Sequence, residues 1–152
     1  MERTAIGPLQ ELMRGVCFGC GSENPHGHQI KSYWDGDAAT MRWTPRPHHT
    51  AGPGMLYGGV IASLFDCHLA MAVVARAYEI EEREIGAEPR IHFVTANLNV
   101  DYLKPTPIEG PVDVTARVDL IEGRKARVSG SLSVDGVECA RARALYIRVS
   151  GV

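Results

Sequence analysis

The sequence is poor in the features that would take it out of the class of ordinary globular domains. It holds four cysteines in 152 residues, Cys17, Cys20, Cys67 and Cys139. These are too few for the disulfide framework of a small secreted protein, and a reducing compartment suits them. No run of Lys and Arg gathers into a basic stripe and the formal net charge is −2, so no nucleic acid is expected as a partner. The N-terminal stretch MERTAIGPLQELMRG has mixed charges and no continuous apolar segment of signal-peptide length, which predicts an unsecreted, cytoplasmic protein. The most apolar segment, Val60 to Ala77, is interrupted by Ser63, Asp66, His68 and Arg76. A bilayer crossing would bury several costly groups, so the segment is expected to be a buried helix with no membrane role. Gly-x-Ser-x-Gly, P-loop, dinucleotide and His-Glu-x-x-His motifs are all missing, which removes the chemistries those arrangements carry.

What is present describes a folded unit. Hydrophobic residues make up 45% and charged residues 22% of the chain, too apolar for disorder. The length suits a single domain spanning residues 1–152, with 1–28 as an N-terminal segment and loop packed on it. Two strand-like runs, Gln29–Trp34 and Ala38–Trp43, flank the turn signal Asp35-Gly36-Asp37 and predict a hairpin. Thr44–Tyr57, with three prolines and paired histidines, predicts a loop without helix or strand. Gly58-Gly59 opens a stretch rich in Ala, Leu, Met and Val with apolar residues all round, read as a central helix of about five turns. Ile91–Leu103, Val112–Ile121, Lys125–Val134 and Val137–Val149 read as four strands in antiparallel succession, with Glu122-Gly123 and Asp135-Gly136 as hairpin turns. The sum is an α+β unit in which a curled sheet wraps an all-apolar helix.

Asp66 is the informative residue, because it lies mid-helix between Leu64-Phe65 and Leu69, where an ionised carboxylate is costly unless paired or used. Ala62 and Ala70, one turn either side, leave room for another molecule. The bland reading is an Asp hydrogen-bonded to a loop or to a hydroxyl such as Ser63. Gly58 and Gly59 leave unpaired N–H groups at the positive end of the helix dipole, an oxyanion-type site, although a Gly-Gly pair can also simply permit a sharp turn. Gly58 and Asp66 are eight residues apart, a rise of about 12 Å. One chain cannot easily bring both to one small carbonyl, so joint action needs two copies.

Cys17-Phe-Gly-Cys20 followed by His26 and His28 invites a zinc reading. The gap between the pairs and the His-x-His ending match no common finger spacing, so no metal is expected there. His48 and His49 fit loop-fastening roles. His68 points about 200° around the helix from Asp66 and is a poor partner for it. Cys67, mid-helix among apolar residues, reads as inert packing.

Three stretches in order, CFGCGSENPHG, HHTAGPGMLYGGVIASLFD and VTANLNVDYLKPTP, resemble the PaaI-like acyl-CoA thioesterases of the hot-dog superfamily from Cys17 to Val149. The resemblance implies a hot-dog fold, a homodimer or homotetramer with sites shared across the interface, an acyl-CoA substrate, and no metal or redox cofactor. It places Asp66 on the family's catalytic carboxylate, Gly58 on the residue whose N–H polarises the thioester carbonyl, and Thr95 where a hydroxyl positions water. Tyr57, Gly59 and His49 are the implied substrate-binding residues. Two departures stand out: Tyr57-Gly58-Gly59 replaces the usual His-Gly-Gly, and Ala51 stands where some members carry Asn. They favour the alternative reading of a hot-dog protein that binds acyl thioesters with little or no turnover. No Asp/His pair has the spacing of an enoyl-thioester hydratase.

Overall fold

The computed structural model describes residues 6–151. A short helix, α1 (Leu9–Met13), precedes a hairpin of β1 (Tyr33–Trp34) and β2 (Ala39–Trp43). The expected strand over Gln29–Trp34 shrinks to its last two residues. Gln29 has a positive φ of 55°, and Ser32 spends its backbone groups on the N-terminal segment, accepting from Leu9 N–H and donating to Gln10 Oε1. The Pro-rich stretch is more ordered than its composition predicts. Pro47–His49 form a 3-10 turn, and β3 (Thr50–Gly52) pairs with β4 (Met55–Leu56) in a two-stranded sheet. Gly54, at φ 74°, supplies the left-handed residue in the connection.

Helix α2 (Gly58–Ile80) is 23 residues long, rising about 34 Å. By length and composition it could cross a membrane; here the sheet packs against it and most of its side chains are buried. The strands β5 (His92–Tyr102), β6 (Val112–Glu122), β7 (Lys125–Val134) and β8 (Val137–Val149) lie within a residue or two of their expected limits. Their arrangement corrects the expected succession. The sheet order is β1-β2-β6-β7-β8-β5, so β5 crosses to the far edge beside β8, while β6 pairs with β2. The β7–β8 connection is Asp135-Gly136, both at positive φ (49° and 79°), as a tight hairpin with right-twisting strands needs.

Six antiparallel strands curl around one helix, which is the hot-dog arrangement. The concave face presents Ala39 and Met41 from β2, Val112 and Val114 from β6, Val128 and Leu132 from β7, and Ala140, Ala142 and Ala144 from β8, all buried. Against them lie Leu64, Phe65, Leu69, Ala72 and Val73 of α2, each larger side chain contributing roughly 1.5–3 kcal/mol by leaving water. The alanine row of β8 and Gly130 of β7 set how closely the helix seats. A Cβ at Gly130 would stand 2.7 Å from Leu69 Cδ1 and 3.3 Å from Phe65 Cε1. Leu9 and Met13 of α1 join the same core.

Candidate active site

Asp66 is half-buried on the side of α2 that faces β5 and the end of β8. Thr95 Oγ1 donates to Asp66 Oδ1 at 2.7 Å. Tyr146, directly opposite Thr95 in the β5–β8 ladder, donates its hydroxyl to the Asp66 carbonyl at 2.6 Å and lies 3.4 Å from Oδ1. One rung of the sheet therefore delivers two hydroxyls to one helical residue. Burial, with the Asp66 charge adding to it, pushes the Tyr146 phenol well above its ordinary range, so this hydroxyl is a permanent donor. The two bonds fix the carboxylate's rotamer through Oδ1, and Oδ2 has no hydrogen-bond partner among the described residues. An anchored carboxylate with one free oxygen can take a proton from water or attack a carbonyl itself.

A β-bulge makes this possible. The register of β5 against β8 slips between Thr95 and Asn97, leaving Ala96 as the extra residue. Before the bulge Phe93 and Thr95 share the inward rungs; after it Leu98, Val100 and Tyr102 do, opposite Ala144, Ala142 and Ala140. A regular strand would put Thr95 and Tyr102 on opposite faces, since side chains alternate.

Tyr102 consequently reaches the other end of α2, where its hydroxyl donates to the Gly58 carbonyl at 2.7 Å. Gly58 is the first helical residue and Tyr57 the N-cap. The first intrahelical bonds are donated by Val60 and Ile61 to the Tyr57 carbonyl, leaving the N–H groups of Gly58 and Gly59 unpaired among the described residues. A Cβ at Gly58 would meet the Tyr102 ring at 3.3 Å, and one at Gly59 would meet the Tyr57 ring at 2.5 Å. Both glycines thus have tight aromatic neighbours as well as free donors. Beside them Ala51, Met55, Leu56, Ile61 and Tyr102 line a largely apolar cavity of about 290 Å³. A larger depression of about 560 Å³, on the outer face of the sheet around Arg117, Asp119 and Arg141, contains none of these residues.

The structure therefore gathers the sequence candidates into two half-sites on one helix. Asp66 and Thr95 form one; Gly58, Gly59 and Tyr57 form the other, about two helical turns away. His49 holds the second half-site from outside, accepting the Tyr57 N–H on its carbonyl at 2.9 Å and the Arg46 N–H on Nδ1 at 2.9 Å. Its ring lies in a neighbouring cavity with Phe18, His28, Trp43 and His48. Burial and the nearby His48 lower the pKa of both His28 and His49. Sequence reasoning missed Tyr102 and Tyr146. Tyr146 was findable, because it continues the alternating row Ala140, Ala142, Ala144. Tyr102 was not, because the bulge that turns it inward has no glycine or proline to mark it.

The thiols regroup unexpectedly. Cys17, Cys20 and Cys67 bring their Sγ atoms within 4.8 Å of one another, while His28 turns away to stack with Phe18, Trp43 and His49. The Cys67 thiol hydrogen-bonds to Cys20 and lowers the latter's pKa to about 7 against the opposing effect of burial; Cys67 itself is pushed up by that bond and by burial.

Comparison with known proteins agrees with the fold. Residues 53–139, more than half of the chain, match the sequence model of the thioesterase superfamily. Acyl-coenzyme A thioesterase THEM4 of Rattus norvegicus is 31% identical over 104 residues, covering 67% of this chain and 39% of that protein. The Xenopus laevis protein of the same name is 30% identical over 107 residues, 69% of this chain and 42% of its own. The chain thus spans about two fifths of the length of the curated relatives it matches. Among solved structures, a thioesterase superfamily protein from Shewanella loihica PV-4 is 39% identical with a TM-score of 0.62, over 82% of this chain and 94% of that one. The PaaI protein of the E. coli phenylacetic acid degradation operon, 18% identical with a TM-score of 0.67 over 82% and 83% of the two chains, shares the fold. With its hot-dog sheet and helix, and with that sequence match, the chain belongs to the thioesterase superfamily.

Proposed function

We propose that the protein hydrolyses an acyl-CoA, or a closely related acyl thioester, to the free acid and thiol, with Asp66 as its catalytic carboxylate. The observation that carries this reading is the anchoring of Asp66: Oδ1 is held by Thr95 at 2.7 Å and Oδ2 is left for chemistry, in a chain whose family is that of thioesterases. In the proposed reaction Asp66 removes a proton from water, or attacks the thioester carbonyl directly. Thr95 fixes the carboxylate and helps orient the water. The unpaired N–H of Gly58, backed by the α2 dipole, stabilises the oxyanion that develops as the carbonyl becomes tetrahedral. Tyr102 holds the Gly58 carbonyl, and hence the peptide plane that follows it. The apolar cavity beside Gly58 suits an acyl chain or aryl group.

The two half-sites stand about 12 Å apart along α2, too far for one thioester carbonyl. We place the reaction at the interface of a homodimer, where Asp66 of one protomer meets the Gly58 N–H of its partner. The exposed edge of β5, with Val94, Thr95, Ala96, Asn97 and Asn99 open to solvent, gives a second copy a surface to approach beside Asp66.

The test is a panel of short-chain, long-chain and aryl acyl-CoAs with detection of the released thiol. At least one substrate should be turned over, and Asp66→Asn should slow it by about a hundredfold or more while circular dichroism stays unchanged. An Asn variant as fast as the parent would remove Asp66 from the mechanism. Tight acyl-CoA binding without turnover by the parent would favour the binding-only reading that Tyr57 and Ala51 suggest.

A further inference from the structure

Cys17 and Cys20 lie on a turn far from α2 in sequence, yet that turn is pressed onto Cys67 at mid-helix. The Sγ atoms of Cys17 and Cys67 are 3.8 Å apart, and all three sulfurs lie within 4.8 Å of one another. Three thiolates on a zinc ion, each at about 2.3 Å in tetrahedral directions, would be about 3.8 Å apart. The cluster therefore already approximates one face of a zinc tetrahedron.

The turn is built to hold this contact. A Cβ at Gly19 would stand 2.3 Å from Cys67 Sγ, and one at Gly21 would stand 2.3 Å from Cys17 N and 2.6 Å from Gly15 O. Side chains at either position would push the turn off the helix or open it. The loop is fastened from outside as well: Asn24 Nδ2 donates to the Val16 carbonyl at 3.1 Å, Gln29 Nε2 to the Gly21 carbonyl at 3.0 Å, and Glu23 N–H to the Gly15 carbonyl at 2.9 Å. Arg14 pairs with Glu23 at 2.8 Å. Cysteines that served only as packing would not need a glycine-built turn to bring three sulfurs together.

We infer that Cys17, Cys20 and Cys67 form a zinc site that ties the N-terminal loop to helix α2. His26 and His28, whose spacing from the cysteines fits no common zinc finger, are not part of the cluster; Cys67 takes their place beside Cys17 and Cys20. Binding releases the thiol protons to solvent and leaves three thiolates on the ion. Cys17 is exposed, so water or a solvent-borne ligand would complete the tetrahedron. Cys67 follows Asp66 directly, so the ion would brace the helical turn that carries the carboxylate. The inference is independent of the proposed hydrolysis and stands or fails apart from it.

The test uses the full chain, purified with a thiol reductant and stripped by a chelator, then titrated with Co²⁺ and Zn²⁺. The expected result is uptake of one Co²⁺ per chain, with visible d–d bands and near-ultraviolet sulfur-to-cobalt charge-transfer bands that Zn²⁺ bleaches. Zinc should also raise the melting temperature, since an ion held only by the folded state stabilises it. Cys17→Ser and Cys67→Ser should each lose these bands, while Cys139→Ser, placed in β8 outside the cluster, keeps them. Cys17 is exposed, so its variant folds even if the half-buried Cys67 variant does not. No uptake by protein with four titratable thiols would overturn the inference. So would bands that survive Cys67→Ser, or a Cys17–Cys20 disulfide that excludes metal until it is reduced and still leaves none bound afterwards.

Discussion

His68 takes no part in the proposed chemistry, yet it joins three parts of the chain. Its Nε2 donates to the Ala39 carbonyl at 3.0 Å, and its Nδ1 accepts from Ser32 Oγ at 2.8 Å. Gln10 in turn donates to that Ser32 oxygen at 2.9 Å. The ring is fully buried, and desolvation lowers its pKa to about 4, against about 6.5 in an unfolded chain. The native state therefore refuses a proton that the unfolded state accepts. The stability due to neutral His68 is complete above pH 6.5 and is lost as pH falls toward 4, with a limiting slope of about 1.4 kcal/mol per pH unit. Urea unfolding should show roughly 2 kcal/mol less stability at pH 5 than at pH 7 from this group. His68→Gln, which keeps a donor and an acceptor but does not titrate, should flatten that dependence; an unchanged slope would show that other groups set it. At this scale the sequence was informative where residue type conflicts with setting. A carboxylate in an apolar helix drew attention to Asp66, and helical geometry alone separated it from His68. Residues whose setting depends on distant chain, such as Cys67, gave no such signal.

At the scale of elements, periodicity located the helix start and the four long strands to within a residue or two, because apolar alternation and all-round apolarity are local properties. The helix itself runs 23 residues, longer than the five turns expected of it. Strand order was not local. Whether β5 lies beside β6 or β8 depends on how the sheet closes around α2, and hairpin turns fix only the β6-β7-β8 meander. The bulge at Ala96 was equally invisible, although it decides which β5 side chains face the helix. Seating of α2 rests on small residues in the sheet, above all Gly130. Gly130→Ala should force Leu69 and Phe65 outward and cost roughly 1–3 kcal/mol, read as a lower urea midpoint with an unchanged slope. A neutral result would mean that α2 can shift without penalty, and that the 2.7 Å approach to Leu69 is not a constraint.

For the whole molecule, the question is whether Gly58 and Asp66 act on one carbonyl, and a mixed dimer answers it. Gly58 is the first residue of α2, where proline is tolerated, and Tyr57 before it has φ −63° and ψ 130°, the conformation a residue preceding proline prefers. Gly58→Pro should therefore delete the donor while keeping the helix start, provided that the Tyr102 ring gives by a few tenths of an ångström. Asp66→Ala removes the carboxylate. If each site in the proposed homodimer takes its carboxylate from one protomer and its N–H from the other, either variant alone is nearly inactive. In a mixed dimer one site receives both lesions. The other receives the Asp66 of the proline-bearing chain and the Gly58 N–H of the alanine-bearing chain, and is intact. Co-refolding the two variants should restore activity to about a quarter of the parent level, given random pairing and independent sites. Mixed dimers that form but recover nothing would place both groups' action within one chain, or reduce Gly58 to a turn residue. Recovery well above a quarter would point to preferred mixed pairing, which native mass spectrometry of the refolded sample measures directly.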